Sequence, residues 1–320
     1  MINGNSKVAV IAFGGNALLR PEDSGTQEEQ FGRAKQAARW LAEIVRHDYK
    51  LVIVHGNGPQ VGNILIQAEE ASTKIPPQTL DVAVAQTEGS IGFMLQQAMR
   101  NRLEFLNLPS EVTTVLTEVE VDPNDIAFKR PTKPVGPFFT KYRAEALSRD
   151  YGWTMKEDSG RGWRKVVPSP RPLHILNRKS IRGLLQEASV VVAAGGGGIP
   201  VVRGRDNQWR GIEAVIDKDY ASALLAAELD AALYIILTSV PQVALDFNKP
   251  TQRFVERMTV SEAEKHLADG QFPPGSMGPK VEAAIDFVKR SSQEVLITDV
   301  EFLREGIEGK AGTRIVPDPA

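Results

Sequence analysis

Three glycine-rich turns, Gly14-Gly15-Asn16, Gly56-Asn57-Gly58-Pro59 and Gly195 to Gly198, each follow an apolar run that reads as a β-strand. Glycine lets backbone N–H groups close on an anion, and open α/β sheets bind ligands outside the carboxyl ends of their strands. One such turn alone is a tight strand–helix connection as readily as a site. Three on one sheet edge point to phosphate or a small acid. Lysines supply the complementary charge. Lys218 stands between Asp217 and Asp219 at a helix start, where the helix dipole disfavours a cation, so its placement suggests a task beyond a surface ion pair. Lys280 ends Pro273-Pro-Gly-Ser-Met-Gly-Pro-Lys280, a glycine–proline turn that opens a helix. Lys133, in Pro131-Thr-Lys-Pro134, would by itself read as a solubilising charge. A phosphoryl group passing between two anions needs cations around it and little covalent help.

Other chemistries fail on their spacing. There is no G-x-x-x-x-G-K-[ST], which excludes a Walker-type NTPase. Gly56-x-Gly58-x-x-x-Gly62 has its third glycine one residue late for a dinucleotide fingerprint, and Asp81 follows a proline-rich loop instead of ending a strand. His47, His174 and His266 lack i, i+4 partners and read as surface or helix-end residues. His55 ends a strand beside the second glycine turn, where a packed role and a ligand-facing role are equally open. No H-E-x-x-H or Asp/His cluster suggests a metal cage, so a divalent ion would ride on nucleotide phosphates.

The elements that must position these residues alternate short apolar runs with longer amphipathic ones, as in an α/β fold with a mainly parallel sheet. Val8–Phe13 and Leu51–Val54 are continuously apolar, as strands covered on both faces should be. Gln27 to His47 carries Phe31, Ala34, Ala37, Ala38, Leu41, Ile44 and Val45 at helical spacing. Further helices are expected over Val61–Ala71, much of Asp81–Leu106, Arg178–Glu187, Tyr220–Leu229, Thr259–Asp269 and Gly278–Ser291. Strands are expected over Thr113–Val119, Val190–Ala194, Ala232–Leu237 and Glu294–Thr298, with Ile199–Val202 and Ile212–Val215 as a hairpin. Between Glu120 and Pro172 the pattern breaks under seven prolines and many charges, which reads as a protruding flap.

The whole chain has 320 residues, 42% hydrophobic and 24% charged, so it is globular. Its net charge of −2 argues against a nucleic-acid partner, whose proteins carry a basic excess. Cysteine is absent, which excludes disulfides and thiolate sites. No apolar run reaches the ~18 residues of a membrane span, and Val8–Phe13 is too short for a signal-peptide core, so the expected location is cytoplasmic.

The motifs together resemble the carbamate kinases of the amino acid kinase superfamily. The matching segments run nearly end to end: Phe13-Gly-Gly-Asn-Ala-Leu18, His55 to Gly62, Val121 to Asp125, Pro131 to Pro137 and Gly162 to Pro170. They continue through Ala193 to Pro200, Glu213 to Asp219, Pro274 to Lys280 and Gly312 to Ile315. The resemblance implies an open three-layer αβα sandwich of two lobes. Residues 1–216 would form the amino-terminal lobe with the carbamate or carbamoyl phosphate site, bearing the flap over about 120–172. Residues 217–320 would hold the ATP or ADP site, with Mg2+ on the nucleotide phosphates. The implied reaction is ATP + carbamate = ADP + carbamoyl phosphate, working toward ATP in arginine or related nitrogen catabolism, in a homodimer. Gly14, Gly15, Asn16, Gly56, Asn57 and Gly58 would line the acid and the moving phosphoryl group. Gly195, Gly196, Thr238, Ser239, Met277 and Gly278 would meet the nucleotide. Lys133, Lys218 and Lys280 would neutralise phosphoryl charge, with Asp217 orienting the lysines.

Relatives acting on amino acids resemble K-x-G-G at the end of the first strand, and here that lysine position is Ala12, which favours carbamate with Lys133 as substitute. Glu88 and Glu118 stand where glutamine is usual, and Ala244 replaces an aromatic residue in Thr238–Leu245. If Glu88 faced the acid pocket it would place a negative charge beside an anion. The alternatives are a non-catalytic nucleotide and small-acid sensor of the same fold, or a kinase for another small carboxylate. Retention of all three lysines favours the enzyme, since a sensor need not keep transition-state cations.

Overall fold

A computed structural model describes residues 7–14, 23–158, 160–273 and 275–319. The chain opens with β1 (Lys7–Phe13), α1 (Gln27–Arg46), β2 (Tyr49–His55), α2 (Gly58–Ala71), α3 (Leu80–Phe105) and β3 (Val112–Thr114). α1 starts at a capping box in which Thr26 and Glu29 satisfy each other's backbone N–H groups. The middle holds β4 (Glu118–Val121), α4 (Ile126–Lys129), β5 (Lys133–Phe139), α5 (Lys141–Tyr151), β6 (Met155–Glu157), β7 (Trp163–Val167) and β8 (Pro172–Ile175). Then come α6 (Arg178–Glu187), β9 (Val190–Val192), β10 (Ile199–Arg203), β11 (Trp209–Gly211), α7 (Lys218–Glu228) and β12 (Leu233–Thr238). β13 (Val243–Leu245), β14 (Arg253–Val255), β15 (Arg257–Thr259), α8 (Val260–Ala268), α9 (Met277–Ser291), β16 (Val295–Asp299), α10 (Leu303–Ile307) and β17 (Thr313–Val316) complete it.

The main sheet has eight strands in the order β15-β17-β16-β12-β1-β2-β9-β3, parallel except where β17 meets β16. Period-two alternation sends β1 to two cores at once. Ala9, Ile11 and Phe13 pack with α1 and α3, while Val10 and Ala12 pack with α7 and α9. That is the αβα sandwich. Both expected lobes share this sheet without a break, because β1 pairs with β2 on one side and β12 on the other.

The flap is better ordered than its prolines suggest. β5, β7 and β6 form a three-stranded antiparallel sheet, with Pro134 and Pro137 on the edge strand β5, where a missing N–H is tolerated. Val135 and Val167 of this sheet join Val61 and Leu65 of α2 in a third apolar cluster. Two other expectations need correction. Thr113–Val119 is not one strand: β3 joins the main sheet and β4 joins β10 and β8, and Thr117 between them is buried with its N–H held by Glu88. Ile212–Val215 is not a strand either, since β10 pairs with β11, which ends at Gly211.

Candidate active site

Neighbouring parallel strands end side by side and carry the glycine turns. Phe13 pairs in register with His55, so Gly14 and Gly56 follow at one level, and the Gly56 N–H donates to the Phe13 carbonyl at 2.8 Å. On the other side Thr238 ends β12 opposite Asp299 of β16. α2 opens at the same edge with Pro59 in its first turn, leaving N–H groups without intrahelical acceptors.

A cavity of about 680 Å³ lies at this edge, lined by Gly14, Gly56, Asn57, Gly58, Gly196, Thr238 and Ser239 and by Lys133, Asp217, Lys218 and Lys280. Three expected residues stand back from it. Gly195 packs under the cavity against the His55 ring, where a Cβ would meet Nε2 at 2.2 Å. Gly278 is buried, with its N–H given to the Pro273 carbonyl at 2.9 Å, and Met277 packs against the core. α9 reaches the cavity through Lys280 and Pro279 instead. Gly15 and Asn16 lie outside the described residues.

The cations are held by two carboxylates, of which the sequence singled out one. Asp217 takes Lys133 from the flap at 2.9 Å, and its other oxygen accepts the Asp219 N–H at 3.0 Å, capping α7. Asp219 bridges the other pair: Oδ1 meets Lys218 Nζ at 2.6 Å and Oδ2 meets Lys280 Nζ at 2.8 Å. The orienting acid for Lys218 and Lys280 is therefore Asp219, 4% exposed in the first turn of α7, where the dipole favours an anion. The Asp-Lys-Asp triplet offers both carboxylates equally, and nothing in it says which lysine each one holds. Burial pushes the Asp219 carboxyl up, but its two lysines outweigh burial and hold it well below the usual range. Burial likewise raises the Asp217 carboxyl, and Lys133 and Lys218 bring it net below its ordinary value. Burial opposes the Lys218 ammonium, yet Asp219 and Asp217 leave its pKa raised. For Lys280 burial prevails, helped by the neighbouring Lys218 charge, and its pKa is lowered.

Arg164 and Asp299 also line the cavity and were not anticipated. Arg164 sits within the Gly162–Pro170 segment and donates Nε–H to the Gly136 carbonyl at 3.0 Å. Nothing in the sequence pattern marks Asp299 beyond its place at a strand end.

Glu88 is not a wall of the cavity. It is 1% exposed on α3, and Oε2 accepts the Thr117 N–H at 2.8 Å. Burial raises its pKa well above the carboxylate range against the backbone N–H groups of Thr117 and Gly195. Glu118 is exposed at the start of β4 and does not line the cavity. Ala244, paired with Phe254 between β13 and β14, does not line it either. His55 is packed: Nδ1 meets the Gly56 carbonyl at 3.1 Å, and burial pushes its pKa down to about 4, so the ring is neutral near pH 7. Among the described residues no group of three His, Cys, Asp or Glu could hold a metal ion.

A sequence model of the Amino acid kinase family matches residues 7–299. The chain is 44% identical to the carbamate kinase of Pyrococcus furiosus over 97% of its own length and 99% of the relative's. It is 46% identical to carbamate kinase 2 of Enterococcus faecalis, covering 96% of this chain and 97% of that one. Among solved structures, carbamate kinase from Giardia lamblia bound to AMP-PNP superposes with a TM-score of 0.90 at 40% identity, over 98% of this chain and 99% of that one.

Proposed function

Since the chain belongs to the amino acid kinase family, we infer that its cleft moves a phosphoryl group between ATP and carbamate: ATP + carbamate = ADP + carbamoyl phosphate. One observation carries the reading: three lysines on two aspartates converge over the glycine turns, one of them brought by the flap. Carbamate attacks through an oxygen that is already anionic. The new P–O bond forms to that oxygen, and the electron pair of the broken bond leaves on the β-phosphate of ADP. No proton moves, so the site needs no general base. What it needs is fixed positive charge where negative charge shifts. Asp219 keeps Lys218 charged and in place, and Asp217 holds Lys133 in position. Three ammonium groups against two carboxylates leave a surplus positive charge for the phosphoryl group.

We assign Gly14, Gly56, Asn57 and Gly58, with Gly15 and Asn16, to carbamate and the transferring group. Thr238, Ser239 and Gly196, which line the same cavity, we assign to the nucleotide. Mg2+ enters with the nucleotide phosphates as part of the substrate. Ala12, wholly buried, leaves the first-strand lysine position empty of charge, which favours the small carbamate over larger amino-acid substrates. A second copy of the chain is the proposed partner, and the cytoplasm, with its ATP and ADP, the proposed location.

The test is ATP formation from MgADP and carbamoyl phosphate by the purified chain, with acetylglutamate, glutamate and aspartate tried as phosphoryl acceptors from MgATP. ATP should form in the first assay and no acceptor should react in the second. ADP binding without turnover would move the reading to a sensor.

A further inference from the structure

The glycine that spoils the dinucleotide fingerprint, Gly62, has a use the reaction scheme does not absorb. It lies one turn into α2, beyond the Gly56-Asn57-Gly58 turn, and meets Gly136 of the flap strand β5 backbone to backbone. A Cβ built on Gly62 would stand 1.9 Å from the Gly136 Cα and 2.3 Å from its nitrogen. Gly136 itself has φ +74°, which L side chains rarely adopt, so a side chain there would strain the backbone, while on Gly62 it is the space for a methyl group that is missing. Three further observations tie this contact to the cleft. Lys133 begins the same strand, about 10 Å away at strand spacing. The Gly136 carbonyl is held by Arg164, which lines the cavity. Val135, next to Gly136, and Val167, paired with Lys133, are buried in one cluster with Val61 and Leu65 of α2.

We propose that the Gly62–Gly136 contact is a positioning device that sets how far the flap carries Lys133 into the cleft. It rests on the carbamate kinase reading for its catalytic consequence. α2 then serves two ends of one geometry: its first turn shapes the anion site, and its second turn fixes the distance at which the flap cation stands over that site. A methyl group on Gly62 would drive β5 back by roughly 1.5–2 Å before carbon atoms reach ordinary contact. Lys133 would then fall short of Asp217 and of the phosphoryl group. Displacements of about 1 Å at a reacting centre cost as much as ~10²-fold in rate.

The experiment compares Gly62→Ala, Lys133→Ala and the double variant with the parent, using Gly89→Ala, an α3 glycine with open space around it, as control. Expected for Gly62→Ala is a fall in kcat of about 10–10² with the KM for ADP within about twofold. In the Lys133→Ala background the same change should cost nothing further, because the lysine it positions is gone. A purely structural glycine would not give that dependence on Lys133. Independently of turnover, amide hydrogen exchange over 133–139 and 163–167 should quicken in Gly62→Ala and not in Gly89→Ala. Should Gly62→Ala fail to fold, Val135→Ala loosens the same docking without a clash, and the same pattern is expected from it. Kcat within twofold of the parent, losses that multiply in the double variant, or unchanged exchange would each overturn the proposal. A parent inert toward carbamoyl phosphate whose exchange still responds would instead overturn the reaction assignment and leave the docking device standing.

Discussion

At the scale of single residues, charge and burial decide what each side chain contributes. Lys218→Ala and Lys280→Ala each remove a cation poised for the transition state, so kcat should fall by about 10²–10³. Thermal unfolding should change little, since each deletion also relieves the repulsion between two neighbouring ammonium groups. Asp219→Ala should behave oppositely in stability. It leaves two partly buried lysines facing each other without a carboxylate, and stranding buried charge in this way costs about 3–5 kcal/mol, measurable by denaturant unfolding. If Asp219→Ala unfolds like the parent, the bridge does not hold the lysines in solution.

His55 and Glu88 should give opposite pH signatures. The folded pKa of His55, about 4, lies below its ordinary value of 6.5, so its contribution is complete above pH 6.5 and is lost as pH falls toward 4. Each unit in that window costs about 1.4 kcal/mol. His55→Gln should therefore flatten the acid limb of the parent's Tm profile between pH 6.5 and 4. The Glu88 carboxyl is raised, so its contribution is complete below its ordinary value of 4.5 and fades as pH rises through the folded value. Glu88→Gln keeps the acceptor for the Thr117 N–H without the charge. It should raise Tm more at pH 8 than at pH 5, and equal gains at both would show that Glu88 is not held in its acid form.

At the scale of elements, the flap carries the sharpest expectation. Lys133→Ala removes the cation that β5 presents, while Thr238, Ser239 and Lys280 on the nucleotide side stay in place. Phosphoryl transfer should drop severely and ADP affinity shift much less. Turnover within a few-fold of the parent would mean that Arg164 or another group supplies the charge. The flap is docked through Val135 and Val167 on α2 and is not hinged freely at its strand ends, so any closing motion must include α2 or bend the sheet beyond those valines. α7 shows the same economy of parts: Asp217 caps the helix with one oxygen and holds the flap lysine with the other.

At the scale of the molecule, the continuous sheet makes the two halves depend on each other. β1 is flanked by β2 and β12, and its side chains enter both large cores. A fragment of residues 1–216 lacks β12, α7 and α9, so Val10 and Ala12 lose their cover and β1 becomes an exposed apolar edge. It should be insoluble or molten by near-ultraviolet circular dichroism, whereas the full chain should unfold in one cooperative transition. A fragment with native-like near-ultraviolet signal would show that the lobes fold independently.

The sequence by itself determined the strand-and-helix alternation, the places of the glycine turns and the two helix-start lysines, Lys218 and Lys280, while Lys133 stood out only through the family resemblance. Those follow from local rules: continuous apolar runs for doubly covered strands, helical spacing for amphipathic faces, glycine where backbone must approach an anion. Only the tertiary structure decided which carboxylate serves which lysine. Asp217 and Asp219 are equivalent in the chain, and only the crossing of α7, α9 and the flap gives one of them Lys133 and the other Lys218 with Lys280. It also decided that Glu88 lies under the site and not in it, because burial depends on what packs against α3 from Thr117 and Gly195, distant in sequence. The break of Thr113–Val119 into strands of two sheets was invisible for the same reason: its alternation suits one strand, and only the competing partners β9 and β10 divide it.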